Sequence, residues 1–117
     1  MKTKRHFTTI EQGADYLLPT YLIEDGVGIK ETGEALSIKF VRGSKLGTED
    51  VPKREGTLHE HLLSMMISDL KYKASLVPSR ESSLVITKLE EALFWMEERQ
   101  RSREAANVAG TYQAVKS

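Results

Sequence analysis

Arginine side chains are the residues of this sequence best suited to binding a charged ligand. Arg80 lies at the predicted start of a helix, and Arg99, Arg101 and Arg103 lie at its predicted end. Guanidinium groups bind phosphate oxygens in a bidentate fashion, and the free N–H groups at a helix start also favour an anion. In an antiparallel dimer, Arg80 of one copy would approach Arg99 or Arg103 of the other and complete a phosphate site. The simpler alternative is that the last arginines offset the helix dipole and that Arg80 pairs with a nearby carboxylate.

Aromatic residues and one further arginine are also candidates for nucleotide contacts. Tyr72, Trp95 and Phe40 can stack on a purine, although each is also typical of a core or an interface. Arg42 directly follows a predicted strand, from which it can reach a phosphate. A solvated loop end is an equally good interpretation of Arg42.

Motifs of catalysis and metal binding are absent from the sequence. There is no nucleophile elbow, no phosphate-binding glycine loop and no dinucleotide fingerprint. His59 and His61 are two residues apart, so on a helix they point in different directions and do not form a zinc site. The adjacent carboxylates of 90–91 and 97–98 likewise diverge and are expected to be solvated. The sequence therefore predicts neither an enzyme nor a metal or cofactor.

Composition limits the classes of partner. The 117 residues carry 17 Lys and Arg against 17 Asp and Glu, and there is no Cys. Zero net charge argues against a long nucleic acid as partner, and the lack of Cys excludes disulfides and thiol chemistry. The basic start is not followed by an apolar run of leader length, and no run is long enough to span a membrane.

The first half of the chain is predicted to form a small antiparallel β-sheet. In 35–41, Leu36, Ile38 and Phe40 alternate with polar residues, as in a strand that is buried on one face. The segment 27–30 is predicted to pair with it through a turn at 31–34, which contains Gly33. The chain around Pro19 suggests a short edge strand or an extended arm, and 43–56 is predicted to be a loop.

The second half is predicted to form an antiparallel αα-hairpin. Thr57 and Glu60 have the form of a capping box before a helix of about 58–75. Ser79 is a candidate cap for a second helix of about 80–103. The fold class is therefore α+β, a single domain with a β-rich part (1–56), a helical hairpin (57–104) and an extended or partly disordered tail (105–117).

The second predicted helix has two apolar faces. Leu84 and Trp95 are eleven residues apart and share a face that is distinct from the main stripe of Ile86, Leu89 and Leu93. One face can pack on the first helix, and the other can pack on the sheet or on another copy of the chain. Because the predicted core is thin for the chain length, a homo-oligomer is expected.

The stretch from Ser79 to Met96, SRESSLVITKLEEALFWM, resembles the hairpin signature of a family of small phage proteins. The later residues of 99–104 and 107–111 resemble the C-terminal run of the same family. This is the first type of Thoeris anti-defence proteins, which shares its hairpin with the smaller second-type anti-CBASS sponges. The sequence differs from the family pattern at Ser82, where Asn is common, and at Ala106-Asn107, where Arg-Gly is common.

The resemblance implies a sponge that binds a signalling nucleotide and sequesters it without cleavage. The implied ligands are glycocyclic ADP-ribose isomers, held at a dimer interface, and cyclic di- or trinucleotides of CBASS at separate pockets. A homodimer or a homohexamer, built as a trimer of dimers, is implied in the cytoplasm of the infected bacterial host. In such a site the ligand contacts are assigned by chemistry: Arg80, Arg99 and Arg103 to the pyrophosphate, Tyr72 or an apolar residue near Val77 to adenine, and Glu81 and Thr87 to ribose.

Two other classes of function remain open from the sequence. One is an enzyme that degrades the same nucleotides, and the other is a phage module whose hairpin binds a protein partner. The three classes differ in whether a nucleotide stabilises the protein and whether that nucleotide is recovered intact.

Overall fold

The chain is α+β, with a three-stranded antiparallel sheet followed by two helices. The computed structural model describes residues 6–43 and 51–116, and the side-chain surroundings as far as residue 106. The strands are β1 (Thr8–Glu11), β2 (Asp15–Glu24) and β3 (Gly28–Lys39), and the helices are α1 (His59–Leu76) and α2 (Arg80–Lys116). The chain divides after residue 58 into two compact units, which are described separately below.

The sheet has β2 at its centre, in the order β1-β2-β3. The prediction of an edge strand or arm around Pro19 was therefore wrong. Proline is tolerated in this central strand because β1 pairs with β2 only from Asp15 to Leu17, so that Pro19 has a neighbour on one side alone, in β3. The β2–β3 register shifts immediately after Pro19, which accommodates the missing N–H group.

The hairpin predicted between 27–30 and 35–41 was also wrong, since the single strand β3 contains most of both segments and the predicted turn between them. The reversal occurs earlier, where Val27 N–H donates to Glu24 O at 3.0 Å and Gly26 has a φ of +78°. Gly33 lies instead at the irregularity within β3, where Thr20 and Thr32 place their hydroxyls 2.5 Å apart.

The base of the sheet holds the small core of the first unit. Ala14 is 2% exposed, and its carbonyl accepts a hydrogen bond from Phe40 N–H at 2.7 Å. The ring of Tyr16 lies between those of Phe7 and Phe40, with centroid distances of 5.5 and 6.0 Å and edge-to-face geometry. Beyond this base, β2 and β3 continue as a two-stranded ribbon with exposed apolar side chains, including those of Ile23 and Ile29.

The helices form the predicted antiparallel hairpin, and each helix meets the other through apolar residues three and four apart. Ile67, 8% exposed, is the most buried residue of this unit among those whose side chains are described. On each helix a row of buried or half-buried apolar residues follows heptad spacing, as in coiled-coil packing: Leu63, Ile67, Leu70 and Ala74 on α1, and Ile86, Leu89, Leu93 and Met96 on α2. Lys71 Nζ and Glu90 Oε2 form an ion pair of 2.9 Å between the helices.

The ends of the helices differ in part from the prediction. Ser79 caps α2 as predicted, since Ser82 N–H donates to Ser79 Oγ at 3.0 Å. The helix α1 begins at His59, and Thr57 lies before it, with its backbone paired to Lys39 and Val41. The extended tail predicted for 105–117 was wrong, because α2 continues to Lys116.

Over the residues that the structure describes, neither helix carries an apolar stretch of the length that a bilayer crossing requires.

Candidate functional site

The first candidate region lies at the base of the sheet, where the chain after β3 meets residues 54–57. Arg42 and Arg54 form an antiparallel bridge in which Arg42 N–H donates to Arg54 O at 3.1 Å and Arg54 N–H donates to Arg42 O at 2.8 Å. Phe40 and Thr57 form a parallel bridge beside it. Part of the predicted loop of 43–56 is therefore fixed to the sheet, and 44–50 lie outside the described residues.

Two arginines at this bridge share one carboxylate. Arg42 Nη1 lies 3.3 Å from Glu11 Oε2, and Arg54 Nε lies 2.9 Å from Glu11 Oε1. Both bonds favour the ionised carboxylate, and the Arg54 hydrogen bond, ahead of Arg42, lowers the pKa of Glu11 below its ordinary value. One negative and two positive charges leave this cluster, called here the Glu11 cluster, with a net charge of about +1.

Two glycines allow the chain to form the Glu11 cluster. Gly13 has a φ of +83°, its N–H donates to the Tyr16 hydroxyl at 2.8 Å, and a Cβ added there would lie 3.4 Å from Arg42 Nε. A Cβ at Gly56 would lie 2.6 Å from Lys39 O and closer still to the Phe40 carbonyl carbon. Gly56 is thus required for residues 54–57 to pass directly against the end of β3.

The second candidate region is the surface of α2. Arg80 and Thr87 are seven residues apart and share one face of the helix, and both are exposed. Glu81 and Arg99 are separated by five full turns, so they lie on a second face of the helix. Arg103 lies one turn beyond Arg99. The structure therefore divides the five predicted residues of α2 between two faces.

The ends of α2 are far apart within one chain. Arg80 and Arg99 are 19 residues apart, which corresponds to about 28 Å at 1.5 Å per residue. Arg101 donates to Glu98 Oε2 at 2.8 Å. Arg99 and Arg103 are exposed and make no ion pair among the residues that the structure describes. One small ligand cannot contact both ends of the same helix, so the predicted site is incomplete without a second copy.

Tyr72 lies on α1 rather than on α2. It is 65% exposed and follows Leu70 by two residues, about 200° around the helix, so it faces away from the hairpin seam. Met65 and Leu76 lie in the same row and are 60% and 63% exposed. On α2, Leu84 and Trp95 are 50% and 61% exposed, consistent with the second apolar face predicted from their spacing.

The sequence does not predict Glu11 or Arg54 as site residues. Glu11 ends a four-residue strand with no alternating pattern, and Arg54 lies in a segment predicted to be a loop. The two residues are 43 positions apart, so no local spacing connects them. Residues 107–111, which resemble the C-terminal run of the family, lie outside the residues whose side chains are described.

The residues that the structure describes contain no group of three or more His, Asp and Glu side chains arranged to hold a metal ion.

A small sheet followed by an antiparallel helical hairpin, with arginines along the second helix, defines a class of α+β hairpin proteins. Residues 43–101, half of the chain, match the family model described as "Acb2/Tad1, hairpin domain". The chain therefore belongs to the Acb2/Tad1 hairpin-domain family, and the resemblance seen in the sequence is confirmed.

One relative is a protein of Bacillus phage SBSphiJ7 named "Thoeris anti-defense 1". It is 42% identical to this chain over 82 residues, which are 69% of this chain and 55% of the relative. The chain thus spans about half the length of the curated relative that it matches.

Proposed function

We propose that this protein is a phage anti-defence sponge that binds a signalling nucleotide and sequesters it without cleavage. The expected ligand is glycocyclic ADP-ribose of the Thoeris system, with CBASS cyclic di- or trinucleotides as a second ligand class. We expect the protein to act in the cytoplasm of the infected bacterium, as a homodimer or a homohexamer.

Membership of the Acb2/Tad1 family is the observation that carries this proposal. The relative's name, Thoeris anti-defense 1, assigns that protein to counter-defence against Thoeris. The arrangement of charge on α2 is compatible with a phosphate ligand, because Arg99 and Arg103 have no carboxylate partner within the described part of the chain. Sequestration requires affinity rather than a nucleophile or a general base, and it therefore needs none of the catalytic motifs that the sequence lacks.

The proposed site is shared between two copies of the chain. Because Arg80 and Arg99 are about 28 Å apart in one helix, we place Arg80 of one copy beside the partner's Arg99 and Arg103, with the two α2 helices antiparallel. The two helix ends would then supply three guanidinium groups to one pyrophosphate. Thr87 lies on the same face of α2 as Arg80, and Glu81 lies on the same face as Arg99. We assign Thr87 and Glu81 to ribose hydroxyls. Tyr72 is assigned to adenine stacking, and Arg42 to a further phosphate contact.

A thermal-shift screen tests the proposal against the class of protein-binding modules. Glycocyclic ADP-ribose isomers and cyclic di- and trinucleotides are added to the full chain, and native mass spectrometry gives the stoichiometry. A ligand present at a hundred times its Kd stabilises the folded state by about 2.7 kcal/mol, which is several degrees in Tm. A protein-binding module predicts no shift with any of these nucleotides, and that result would contradict the proposal.

A further inference from the structure

The Glu11 cluster brings together two like charges that would otherwise repel. Arg42 and Arg54 are directly opposite each other across an antiparallel bridge, where paired like charges are destabilising. Glu11 reaches both guanidinium groups, one through each carboxylate oxygen. A single carboxylate neutralises only one of them, so the pair keeps one excess positive charge.

The cluster also keeps hydrogen-bond donors available. Each guanidinium carries five N–H groups. Within the described residues, Arg42 uses Nη1 for Glu11, and Arg54 uses Nε for Glu11 and Nη1 for Lys53 O. The side chains of Arg42 and Arg54 are 34% and 47% exposed, so both are partly open to solvent.

Both side chains are held before any ligand arrives. The side chain of Arg42 lies against the backbone at Gly13, and Arg54 is fixed at two of its nitrogens. A freely moving arginine loses rotamer entropy when it is ordered, and a preformed pair has already lost much of it.

We infer that Arg42 and Arg54 form a paired contact for a phosphate group, and that Glu11 is a positioning residue which holds the pair in place. The ligand class is a phosphate ester or pyrophosphate of a nucleotide. This inference rests on the proposed function, and it adds Arg54 as a ligand contact and Glu11 as a residue that acts through the two arginines.

The experiment is calorimetric titration of the full chain with glycocyclic ADP-ribose. Arg54→Ala is expected to weaken binding about tenfold to a hundredfold, the usual effect of losing a charged hydrogen bond, and Arg54→Lys to recover part of that loss. Glu11→Gln keeps the shape of the side chain and is expected to weaken binding severalfold. Lys53→Ala is the matched control, because it removes a positive charge next to Arg54 without removing a partner of Glu11.

A second readout separates ligand contact from a purely structural role. In ¹⁵N spectra of the wild-type guanidinium groups, the Arg54 Nε–H signal is expected to shift when the nucleotide saturates the protein. Chemical unfolding of each variant checks that it is folded. Unchanged affinity in Arg54→Ala, or a loss no larger than in Lys53→Ala, would overturn the inference while the proposed function stands. A wild-type protein that does not bind the nucleotide contradicts the proposed function and this inference together.

Discussion

Arg42 and Arg54 exchange both backbone hydrogen bonds across one bridge, and their guanidinium groups share the two oxygens of Glu11. This relationship ties the start of the sheet, the chain after β3 and the segment before α1 to one another. The group depends on contacts between residues far apart in sequence, since Glu11 and Arg54 are 43 positions apart.

The stability of the Glu11 cluster is expected to depend on pH. The pKa of Glu11 is lowered in the folded protein by Arg54 and Arg42, so its ionised form favours folding. This contribution is fully present above the ordinary glutamate pKa of about 4.3 and is lost as pH falls through the lowered value. Urea unfolding of wild type and Glu11→Gln should therefore differ at pH 7, and the difference should shrink below about pH 4.

The control for this pH dependence is Glu55→Gln, since Glu55 is exposed and lies next to Arg54 in the chain. The free energy of unfolding of Glu55→Gln relative to wild type should stay constant over the same pH range. A Glu11→Gln difference that is constant from pH 7 to pH 3 would show that the two ion pairs do not stabilise the fold.

Substitution of Gly56 by Ala is expected to destabilise the sheet unit. The new methyl group would overlap the backbone of Lys39 and Phe40, and backbone atoms can move away only by breaking the adjacent bridge to Thr57. Overpacking of this kind costs about 1–3 kcal/mol, measurable as a lower midpoint in urea. Glu55→Ala is the neighbouring control, and equal midpoints for both variants would contradict the geometry at Gly56.

The helices were predictable from the sequence because their determinants are local. Apolar residues three and four apart and the Ser79 cap define them within a few turns of chain. The sequence predicts a small antiparallel sheet correctly but not its strand pairing. The predicted turn at 31–34 is wrong, and Asp25-Gly26, an Asp-Gly pair typical of hairpins, marks the true reversal. The prediction of a tail from residue 105 rests on the weak apolar periodicity there, but most of the residues that follow are compatible with a helix, and α2 continues to Lys116.

The exposed apolar face of α2 is expected to contribute to self-association. Trp95 is 61% exposed and Leu84 is 50% exposed on the side of α2 away from α1. Replacing Trp95 by Ala should lower the mass observed by native mass spectrometry at a given concentration, because buried aromatic residues dominate interface energies. Lys88→Ala, on the same face, is the control. An unchanged mass distribution in the Trp95 variant would exclude this face as the contact between copies.

The arginines at the far end of α2 are expected to differ in their effect on nucleotide binding. Arg103 makes no ion pair in the described part of the chain, whereas Arg101 donates to Glu98. Arg103→Ala should leave the circular dichroism spectrum intact and weaken nucleotide binding at least tenfold, as expected for a lost charged hydrogen bond. Arg101→Ala should have a smaller effect. Calorimetry that gives wild-type affinity for the Arg103 variant would remove Arg103 from the site.

Recovery of the nucleotide after binding tests the central claim most directly. The full chain is mixed with glycocyclic ADP-ribose at equal concentrations, the free nucleotide is separated by ultrafiltration, and the retained protein is denatured by heat. Sequestration predicts that the filtrate is depleted of nucleotide and that mass spectrometry finds the nucleotide intact after denaturation. Nucleotide left in the filtrate would contradict binding, and hydrolysed product in either fraction would contradict sequestration without cleavage.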